Sequence, residues 1–353
     1  MKENLGRRRV VIYSVPFFPL LGGMERFSED LAFGLHELGN DVTVVTRTPD
    51  SEKHAGRFPF RVVSVPRKSD ARAHFQQADI IVFSGIATLQ VLLALGKPTV
   101  LTHHTDYFHS TGPRLFTAGT LKRHLCHLFP NVSVSGYLAR QLPGRHEVIH
   151  NSFRPDVFYP GDETRIPNSF AFVGRLVSDK GCSVALDAFA QVRQRLEATL
   201  AIVGAGPEED ALRRQAKALG CDDAVTFTGK LPPEEIARLL RRTECLLVPS
   251  LWQEPFGIVA LEGLACGCEV IVSPRGGLPE ATGGFGWVVE PEPAAFAAAM
   301  HSVANGERRA GTGVAEFLQA HTREAVCLRY QKVLDSVCPW PERARTAPAS
   351  SPA

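Results

Sequence analysis

The chain has 353 residues, of which 44% are hydrophobic and 22% charged, and its formal net charge is +2. This length is too great for one ordinary compact core, so two domains are expected. The near-neutral charge gives no global indication of nucleic-acid binding. No apolar run reaches the ~18 residues that a membrane span needs, and the polar, basic start does not resemble a signal peptide. The eight cysteines lack the spacing of a disulfide framework or a zinc site, which is typical of reduced thiols in a cytoplasmic protein.

The first half of the chain alternates short apolar runs with amphipathic segments. The runs RRVVIYSV, DVTVVT and FRVVSVP predict strands, and the segment from Gly22 to Gly39 has the leucine spacing of a helix. Further strands are predicted over ADIIVFS, KPTVLTHH, NVSVS and EVIHN, with helices over ATLQVLLALG and PRLFTAGTLKRHLCHLF. Such alternation predicts a parallel sheet with helices on both faces.

The loop NSFRPDVFYPGDETRIPN separates the two halves, and the alternation then restarts. Strands are predicted over SFAFVGR, TLAIVGAG, AVTFTG, CLLVPS, EVIVS and GWVV, with a helix after nearly every one. The predicted fold is therefore two facing, Rossmann-like, doubly wound α/β domains. They span residues 1–160 and 161–320, followed by a helix over 321–338 that returns to the first domain and a disordered tail over 339–353. Ligands of such sheets bind at the carboxyl ends of the strands, so a site is expected in the cleft between the domains.

Three motifs in these loops could contact phosphate groups. Gly22 and Gly23 separate the first strand from the first helix, where a glycine backbone can approach a phosphate; a tight turn is the alternative. Arg175 follows a strand and Lys180 precedes a helix, a spacing that suits a diphosphate, although solvated loop charges are also compatible with it. Gly204 lies in VGAGP, which lacks the third glycine of a dinucleotide-binding fingerprint.

The stretch SLWQEPFGIVALEGLACGC carries two carboxylates, Glu254 and Glu262, in a segment that is otherwise apolar. A helix is predicted from about Ile258 to Cys266, and the amides at its start would be free to bind phosphate oxygens. Those amides belong to Phe256, Gly257, Ile258 and Val259. The two carboxylates are too far apart to hold one small ion, but they suit the two hydroxyl-rich ends of a nucleotide sugar. No D-x-D motif is present to bring a metal ion to a diphosphate, so cations and amides would have to bind it.

In these motifs the chain resembles the retaining glycosyltransferases of family 4, which have the two-domain GT-B fold. The resemblance covers residues 8–335. Its most specific part is EPFGIVALE, which matches the E-x7-E motif of that family, and FVGRLVSDKG matches its Arg/Lys segment. The segments GGMERF, VIHNSFRPDVFYP and VGAGPEEDAL match in order and spacing.

The resemblance implies roles for residues of the second domain. Glu262 would accept hydrogen bonds from the ribose hydroxyls of the donor, and Glu254 would face the hydroxyls of the transferred sugar. Arg175 and Lys180 would neutralise the diphosphate leaving group. Leu231, in the turn GKLPPE, would meet the base through its backbone, and Gly204 is counted with the donor-binding residues.

In the first domain, the resemblance implies that Gly22 and Gly23 bring their backbone to the same diphosphate. A histidine of VLTHHTDYF would approach the donor sugar. His103 and His104 are both candidates, and His104 is preferred because of the spacing from threonine that the family usually shows. With Arg175, Lys180 and Glu254, His104 completes the expected catalytic set.

The expected activity is transfer of a sugar, with retention, from a UDP- or GDP-sugar to a hydroxyl of a glycan, a lipid-linked molecule or a small molecule. No metal and no other cofactor is expected. A nucleotide-sugar 2-epimerase and a non-catalytic nucleotide-sugar binding protein are the alternatives. The expected location is the cytoplasm. The basic segment PRLFTAGTLKRHLCHLF either contacts the inner face of a membrane or lines the cleft.

Overall fold

The computed structural model of the chain describes residues 7–20, 22–49, 51–65, 67, 70–105, 107 and 118–340. They form two compact units, one with the described residues up to Ser152 and from Arg323 onward, the other spanning Phe153–Thr322. The predicted boundary at 160/161 lies eight residues beyond this division. The reason is that Phe153 already belongs to the second unit, where its amide donates to the carbonyl of His321 at 3.0 Å.

The first unit contains a seven-stranded sheet in which every pair of neighbours is parallel. Its strand order is β3-β2-β1-β4-β5-β6-β7. The strands are β1 (Arg9–Ser14), β2 (Asp41–Thr46), β3 (Arg61–Ser64), β4 (Ile80–Ser84), β5 (Thr99–His103), β6 (Asn131–Ser133) and β7 (His146–Val148). Most of their residues are buried, because helices cover both faces of the sheet.

The helices of this unit pack on two apolar core clusters, one on each face of the sheet. They are α1 (Gly23–Glu37), α2 (Ala71–Gln77), α3 (Thr88–Leu93), α4 (Ala118–Leu125) and, from the far end of the chain, α13 (Arg323–Val337), whereas α5 (Gly136–Gln141) contacts β6 and β7. Helix α13 packs on α1, where a Cβ on Gly34 would lie 2.3 Å from the sulfur of Cys327. The glycine at this point allows the two helices to approach closely.

The second unit contains a six-stranded parallel sheet with the order β10-β9-β8-β11-β12-β13. Its strands are β8 (Ser169–Val173), β9 (Thr199–Val203), β10 (Val225–Gly229), β11 (Cys245–Val248), β12 (Glu269–Val272) and β13 (Trp287–Val288). Its helices are α6 (Cys182–Arg193), α7 (Glu209–Ala218), α8 (Pro233–Arg242), α9 (Ile258–Ala265), α10 (Leu278–Thr282), α11 (Pro293–Ala304) and α12 (Val314–Gln319). Both units thus have the doubly wound topology that the sequence predicts.

The structure differs from the prediction in its short helices and at the end of the chain. Helices α2, α5, α10 and α12 are not predicted; each has only five to seven residues, and a segment that short shows a helical period poorly. The predicted basic helix is described only from Ala118, and residues 113–117 lie outside the described part. In the predicted tail, Trp340 lies 5.1 Å from the guanidinium carbon of buried Arg8, so packing begins where disorder was expected. Residues 341–353 lie outside the described part. None of the described helices is both long enough and apolar enough to cross a membrane.

Candidate functional site

The strand order of the second unit reverses between β8 and β11, and the main predicted motifs meet at this point. The chain leaves β8 toward α6 on one face of the sheet and leaves β11 toward α9 on the other. Ligands of open parallel sheets bind at such a reversal, beyond the carboxyl ends of the strands. Arg175 lies just past β8, and its exposed guanidinium has no hydrogen-bond or ion-pair partner among the described residues.

The central feature of this site is an ion pair between Lys180 and Glu254. The Lys180 ammonium donates to Glu254 Oε1 at 2.5 Å, and the hydroxyl of Ser250 donates to the same oxygen at 2.8 Å. The side chains of Lys180 and Glu254 are 25% and 12% exposed, and Ser250 is buried. Within the described part of the chain, Glu254 Oε2 receives no hydrogen bond. The structure therefore joins the predicted leaving-group cation directly to the predicted sugar-binding carboxylate and leaves one carboxylate oxygen for a ligand.

The loop that carries Glu254 is held by backbone hydrogen bonds on both sides. The carbonyl of Asp179 accepts from the amides of Leu251 and Trp252, at 2.8 and 3.1 Å. On the other side, the carbonyl of Glu254 accepts from the amide of Gly277 at 2.7 Å. A Cβ on Gly276 would lie 2.0 Å from that carbonyl, and its φ of +66° favours glycine as well. Glu254 is therefore fixed by main-chain contacts as well as by its side chain.

Three residues that support this arrangement are missed by the sequence reasoning: Ser250, Gly276 and Gly277. The paired glycines of SPRGGLPE were the available signal, since a Gly-Gly pair marks a turn with unusual backbone angles or a close approach. No local signal distinguishes Ser250 from other serines that follow a strand. Its role depends on a loop contact that only the fold creates.

Helix α9 begins directly after this loop. Gly257 is its N-cap, with φ +109°, and it offers no side chain to cap the helix. The amides of Ile258 and Val259 are in the first turn, where a helix has no internal acceptor for them. Phe256 lies before the helix rather than in its first turn, and its buried ring stacks on His321 with centroids 6.1 Å apart. Of the four amides predicted to bind phosphate, those of Gly257, Ile258 and Val259 lie at the start of α9.

Glu262 lies in the second turn of α9 and is half-buried. It is four positions beyond Ile258, on the same helix whose first turn carries the free amides. Its predicted contact with a ribose stays a prediction.

The structure bears less directly on two residues that are predicted to bind the sugar donor, Gly204 and Leu231. Gly204 has a φ of +138°, and a Cβ there would lie 1.8 Å from the carbonyl oxygen of Gly174. Close packing of the loops after β8 and β9 thus explains the glycine. The side chain of Leu231 lines a groove of about 480 Å³ between α8 and the sheet, which extends to Ser169 and Thr199 at the starts of β8 and β9. Contacts of Gly204 and Leu231 with a donor stay predictions.

In the first unit, the two candidate histidines at the end of β5 have different surroundings. His103 is fully buried, and Nε2 donates to Asn131 Oδ1 at 2.9 Å, while Nδ1 lies 3.3 Å from the hydroxyl of Tyr107. His104 is partly exposed, with its ring 4.3 Å from that of Phe27 and Nε2 3.2 Å from the hydroxyl of Thr102. Because both ring nitrogens of His103 are occupied inside the protein, His104 is the better candidate for contact with a ligand.

Both histidines are neutral near pH 7. Burial lowers the pKa of His103 to about 3 and that of His104 to about 4, because the charged imidazolium loses its hydration there. A neutral imidazole has one donor and one acceptor nitrogen, so His104 would contact a sugar by hydrogen bonding rather than by charge.

Gly22 and Gly23 form the N-terminus of α1, which has no side-chain cap. Gly22 has an extended backbone, with φ −172°, that any residue can adopt. A Cβ on Gly23 would meet no atom of the described residues within 4 Å. Neither packing nor backbone strain explains the glycine at position 23, whereas the close approach of a ligand would.

Among the described residues, no group of three His, Cys, Asp or Glu side chains converges as metal ligands. The cluster around Glu254 is built from a cation, a hydroxyl and a carboxylate.

Comparisons with known proteins also divide the chain into two parts. A sequence model of the family described as "Glycosyltransferase Family 4" matches residues 21–157, and one described as "Glycosyl transferases group 1" matches residues 162–312. The two matches together span most of both units.

Among curated proteins, the D-inositol 3-phosphate glycosyltransferase of Mycolicibacterium smegmatis is 30% identical in an alignment of 213 residues that covers 54% of this chain and 48% of that protein. An uncharacterised glycosyltransferase of Methanocaldococcus jannaschii is 36% identical over 129 residues, which are 36% of this chain and 32% of that protein. The chain spans about half or less of the length of these relatives.

Among solved structures, HepE of Anabaena in complex with UDP and glucose is similar to the chain as a whole. The match has a TM-score of 0.76 and 19% sequence identity, and it covers 94% of this chain and 100% of HepE. At this identity the likeness shows a shared fold.

Proposed function

The chain belongs to the group 1 glycosyltransferases of glycosyltransferase family 4 and has their GT-B fold, and we propose that it moves a sugar from a nucleotide-diphosphate sugar to a hydroxyl group with retention of configuration. A hexose on UDP or GDP is the proposed donor. The acceptor is a glycan, a lipid-linked molecule or a small molecule. HepE, which shares the fold, has been crystallised in complex with UDP and glucose, and this supports a nucleotide donor.

The observation that carries the proposal is the Lys180–Glu254 pair, at the reversal of the second sheet and directly before the uncapped start of α9. A diphosphate suits a cation next to free helix amides, because both stabilise negative oxygens. Hydroxyl groups of a sugar suit a carboxylate that has one oxygen without a donor. A nucleotide-diphosphate sugar combines these groups in one molecule.

In the proposed reaction, the bond between the anomeric carbon and the diphosphate oxygen breaks, and a bond forms between that carbon and the acceptor oxygen. The acceptor proton passes to the leaving diphosphate. Lys180, Arg175 and the amides at the start of α9 stabilise the charge that develops on the leaving group more strongly than the charge of the ground state. Glu254 holds the transferred sugar. No step requires a metal ion, and metal independence is part of the proposal.

The remaining assignments complete the proposal. Glu262 accepts hydrogen bonds from the ribose, the backbone at Leu231 meets the base, and the backbone at Gly22 and Gly23 contacts the diphosphate. His104 contacts the donor sugar as a neutral imidazole. We assign the enzyme to the cytoplasm because all eight of its cysteines are unpaired thiols, seven of them buried, as is usual in a reducing compartment.

The test is a screen of nucleotide sugars by thermal shift, followed by mass spectrometry of the products with panels of acceptors. Stabilisation by one UDP- or GDP-sugar and acceptor-dependent release of the nucleoside diphosphate are expected. Conversion of the donor without an acceptor would show an epimerase instead. Stabilisation without any product would show a binding protein, and stabilisation by no nucleotide sugar would contradict the proposal as a whole.

A further inference from the structure

Helix α3 of the first unit has leucines on its outer face. It buries Val91 and the amide side chain of Gln90, which is 3% exposed. Leu89 and Leu92 of the helix and Leu95 just after it are 46%, 43% and 59% exposed. A helix on a protein surface usually shows the reverse arrangement, with apolar side chains inside and polar ones outside.

Helix α4 continues this surface. Leu125 and Cys126 are buried at its end, whereas Leu121 is 47% exposed and Leu128, in the turn that follows, is 68% exposed. Among the described residues, Leu128 is the most exposed large apolar side chain.

The two helices are in contact and pack on the same core cluster. Val91 of α3 and Cys126 after α4 both belong to the cluster that contains Phe83 of the sheet. Their outer faces therefore point away from the same side of the sheet. We call the five exposed side chains of this surface the leucine face: Leu89, Leu92, Leu95, Leu121 and Leu128.

The part of the sequence that carries the leucine face is rich in positive charge. Between Ile80 and His146 the sequence has six lysines and arginines but only one acidic residue, Asp106, although the whole chain has a net charge of +2. The six are Lys97, Arg114, Lys122, Arg123, Arg140 and Arg145.

Contacts place several of these cations near α4. The Arg123 guanidinium donates to the carbonyl of Gln141 at 2.9 Å, which joins α4 to the end of α5, where Arg140 is exposed. Lys122 lies on α4 itself, with its ammonium 5.0 Å from the ring centre of Tyr107.

We propose that the leucine face is a docking surface for a membrane that contains anionic phospholipids. An extended group of exposed apolar side chains marks an interaction site, and leucines bordered by lysine and arginine suit the boundary between lipid headgroups and acyl chains. The cations would be attracted by the negative surface potential of such a membrane. A second copy of the chain is a poorer partner for this face, because it would bring a surface of the same charge.

The proposed membrane docking does not depend on the proposed sugar transfer. What docking implies about the acceptor does rest on that proposed function. If the enzyme transfers a sugar as proposed above, this surface favours an acceptor that is itself anchored in the membrane. The docked enzyme would then meet its acceptor by diffusion in two dimensions.

The test is sedimentation of the full chain with two kinds of vesicle, one of phosphatidylcholine alone and one that also contains phosphatidylglycerol. Binding is expected only to the anionic vesicles. It should fall about ten-fold or more between roughly 0.1 M and 1 M salt, because the screening length falls from about 10 Å to about 3 Å. Binding that is equal for both vesicles and insensitive to salt would contradict a role for the cations.

Two sets of variants test whether vesicle binding depends on the leucine face or on exposed leucines in general. Leu92→Gln combined with Leu128→Gln should lower vesicle binding by about ten-fold or more, since apolar contact with the bilayer is lost. Leu219→Gln combined with Leu328→Gln is the matched control, because these leucines are exposed by 39% and 42% but lie elsewhere. Thermal unfolding shows whether each variant remains folded. Equal loss in both sets, or loss in neither, would overturn the proposal.

Two further measurements separate membrane docking from self-association and from damage to the donor site. Light scattering of the wild type and the leucine variants reports oligomeric state, and a dimer broken by Leu92→Gln and Leu128→Gln would show that the leucine face binds a second copy instead. Thermal shift with nucleotide sugars should be unchanged in these variants. Failure of the wild type to bind any nucleotide sugar would contradict the catalytic proposal and leave the vesicle result as an independent finding.

Discussion

The ammonium of Lys180 and the carboxylate of Glu254 are 2.5 Å apart, although the two residues are separated by 74 positions in the sequence. The pair lies where the strand order of the second sheet reverses, and both side chains are mostly shielded from water. Partial burial strengthens the interaction of each group with its neighbours, including a bound ligand. Each partner also holds the other in place, so a substitution at either is expected to affect both ends of the proposed donor site.

Replacing Lys180 with alanine is expected to lower kcat by about 100- to 1,000-fold, which is the usual effect of removing one group that stabilises a developing oxyanion. Steady-state release of the nucleoside diphosphate measures the effect. Lys180→Arg should recover part of the activity, because it retains the charge with a different geometry. Lys217→Ala, on the exposed side of α7, is the matched control and should leave kcat unchanged. Near-normal turnover of Lys180→Ala would rule out its role in leaving-group stabilisation.

Ser250 is proposed to position Glu254 rather than to touch the donor. Ser250→Ala removes the hydrogen bond to Glu254 Oε1, while the carbonyl of Asp179 keeps two amide donors. The expected result is a loss of about 1–2 kcal/mol in the free energy of unfolding, from a hydrogen bond to a charged group. A fall of about ten-fold in kcat should accompany it, with the Kd for nucleoside diphosphate nearly unchanged.

The control for Ser250 is Ser169→Ala, which removes another buried hydroxyl at the opposite end of β8. It should lower stability by a similar amount without an effect on kcat. If both variants lose turnover in proportion to stability, Ser250 has only a structural role.

Glu262→Gln is expected to raise the Kd of the nucleotide about ten-fold, because a carboxylate accepts a stronger hydrogen bond from a hydroxyl than a neutral amide does. Calorimetry with ribo- and 2′-deoxyribonucleotides gives a sharper measurement. The wild type should discriminate between the two sugars, and Glu262→Gln should discriminate much less. Equal discrimination by both proteins would show that Glu262 does not meet the ribose.

The positions of most strands along the chain were predictable from the sequence. Strands buried on both faces are short runs of Val, Ile, Leu and Phe, such as RVVIYS of β1 and IIVFS of β4, and such runs stand out from amphipathic helices. Short helices could not be predicted in the same way. Helix α10 has five residues, less than two turns, and its formation depends on packing of Leu278 rather than on local periodicity.

The sequence predicted which charged residues lie beyond the strand ends of the site, but it did not predict the contacts between them. The sequence indicated a cation at 180 and a carboxylate at 254. It gave no indication that they contact each other, because that contact depends on the neighbouring positions of β8 and β11 in the sheet. For the two histidines, the resemblance to the family favoured His104, and the burial of His103 in the structure supports that preference.

The buried His103 predicts a pH dependence of stability. Its pKa is about 3 in the folded state and about 6.5 in an unfolded chain, so the unfolded state binds more protons between these values. Stability contributed by His103 is therefore present above pH 6.5 and is lost as the pH falls toward 3. Between pH 7 and pH 5 the contribution of His103 alone is expected to fall by about 2 kcal/mol.

Urea unfolding at the two pH values, followed for the first unit, measures the loss. His103→Gln should weaken the pH dependence by about that amount. The same pKa values predict that neither His103 nor His104 loses its neutral form above pH 5, so no fall in kcat between pH 8 and pH 6 is expected from either.

Gly23 offers a test in which stability and activity should change in opposite directions. A Cβ at this position meets no described atom within 4 Å, and the residue is the first of α1, so Gly23→Ala should fold normally and stabilise the helix slightly. If the backbone there approaches the diphosphate of the donor, the added methyl group lies in the path of the ligand, and kcat/KM should fall about ten-fold or more. Gly56→Ala is the matched control, because its Cβ also has open space but it lies in a separate surface turn. Normal kcat/KM for Gly23→Ala, with a Tm equal to or slightly above that of the wild type, would show that the first unit does not bring this glycine to the donor.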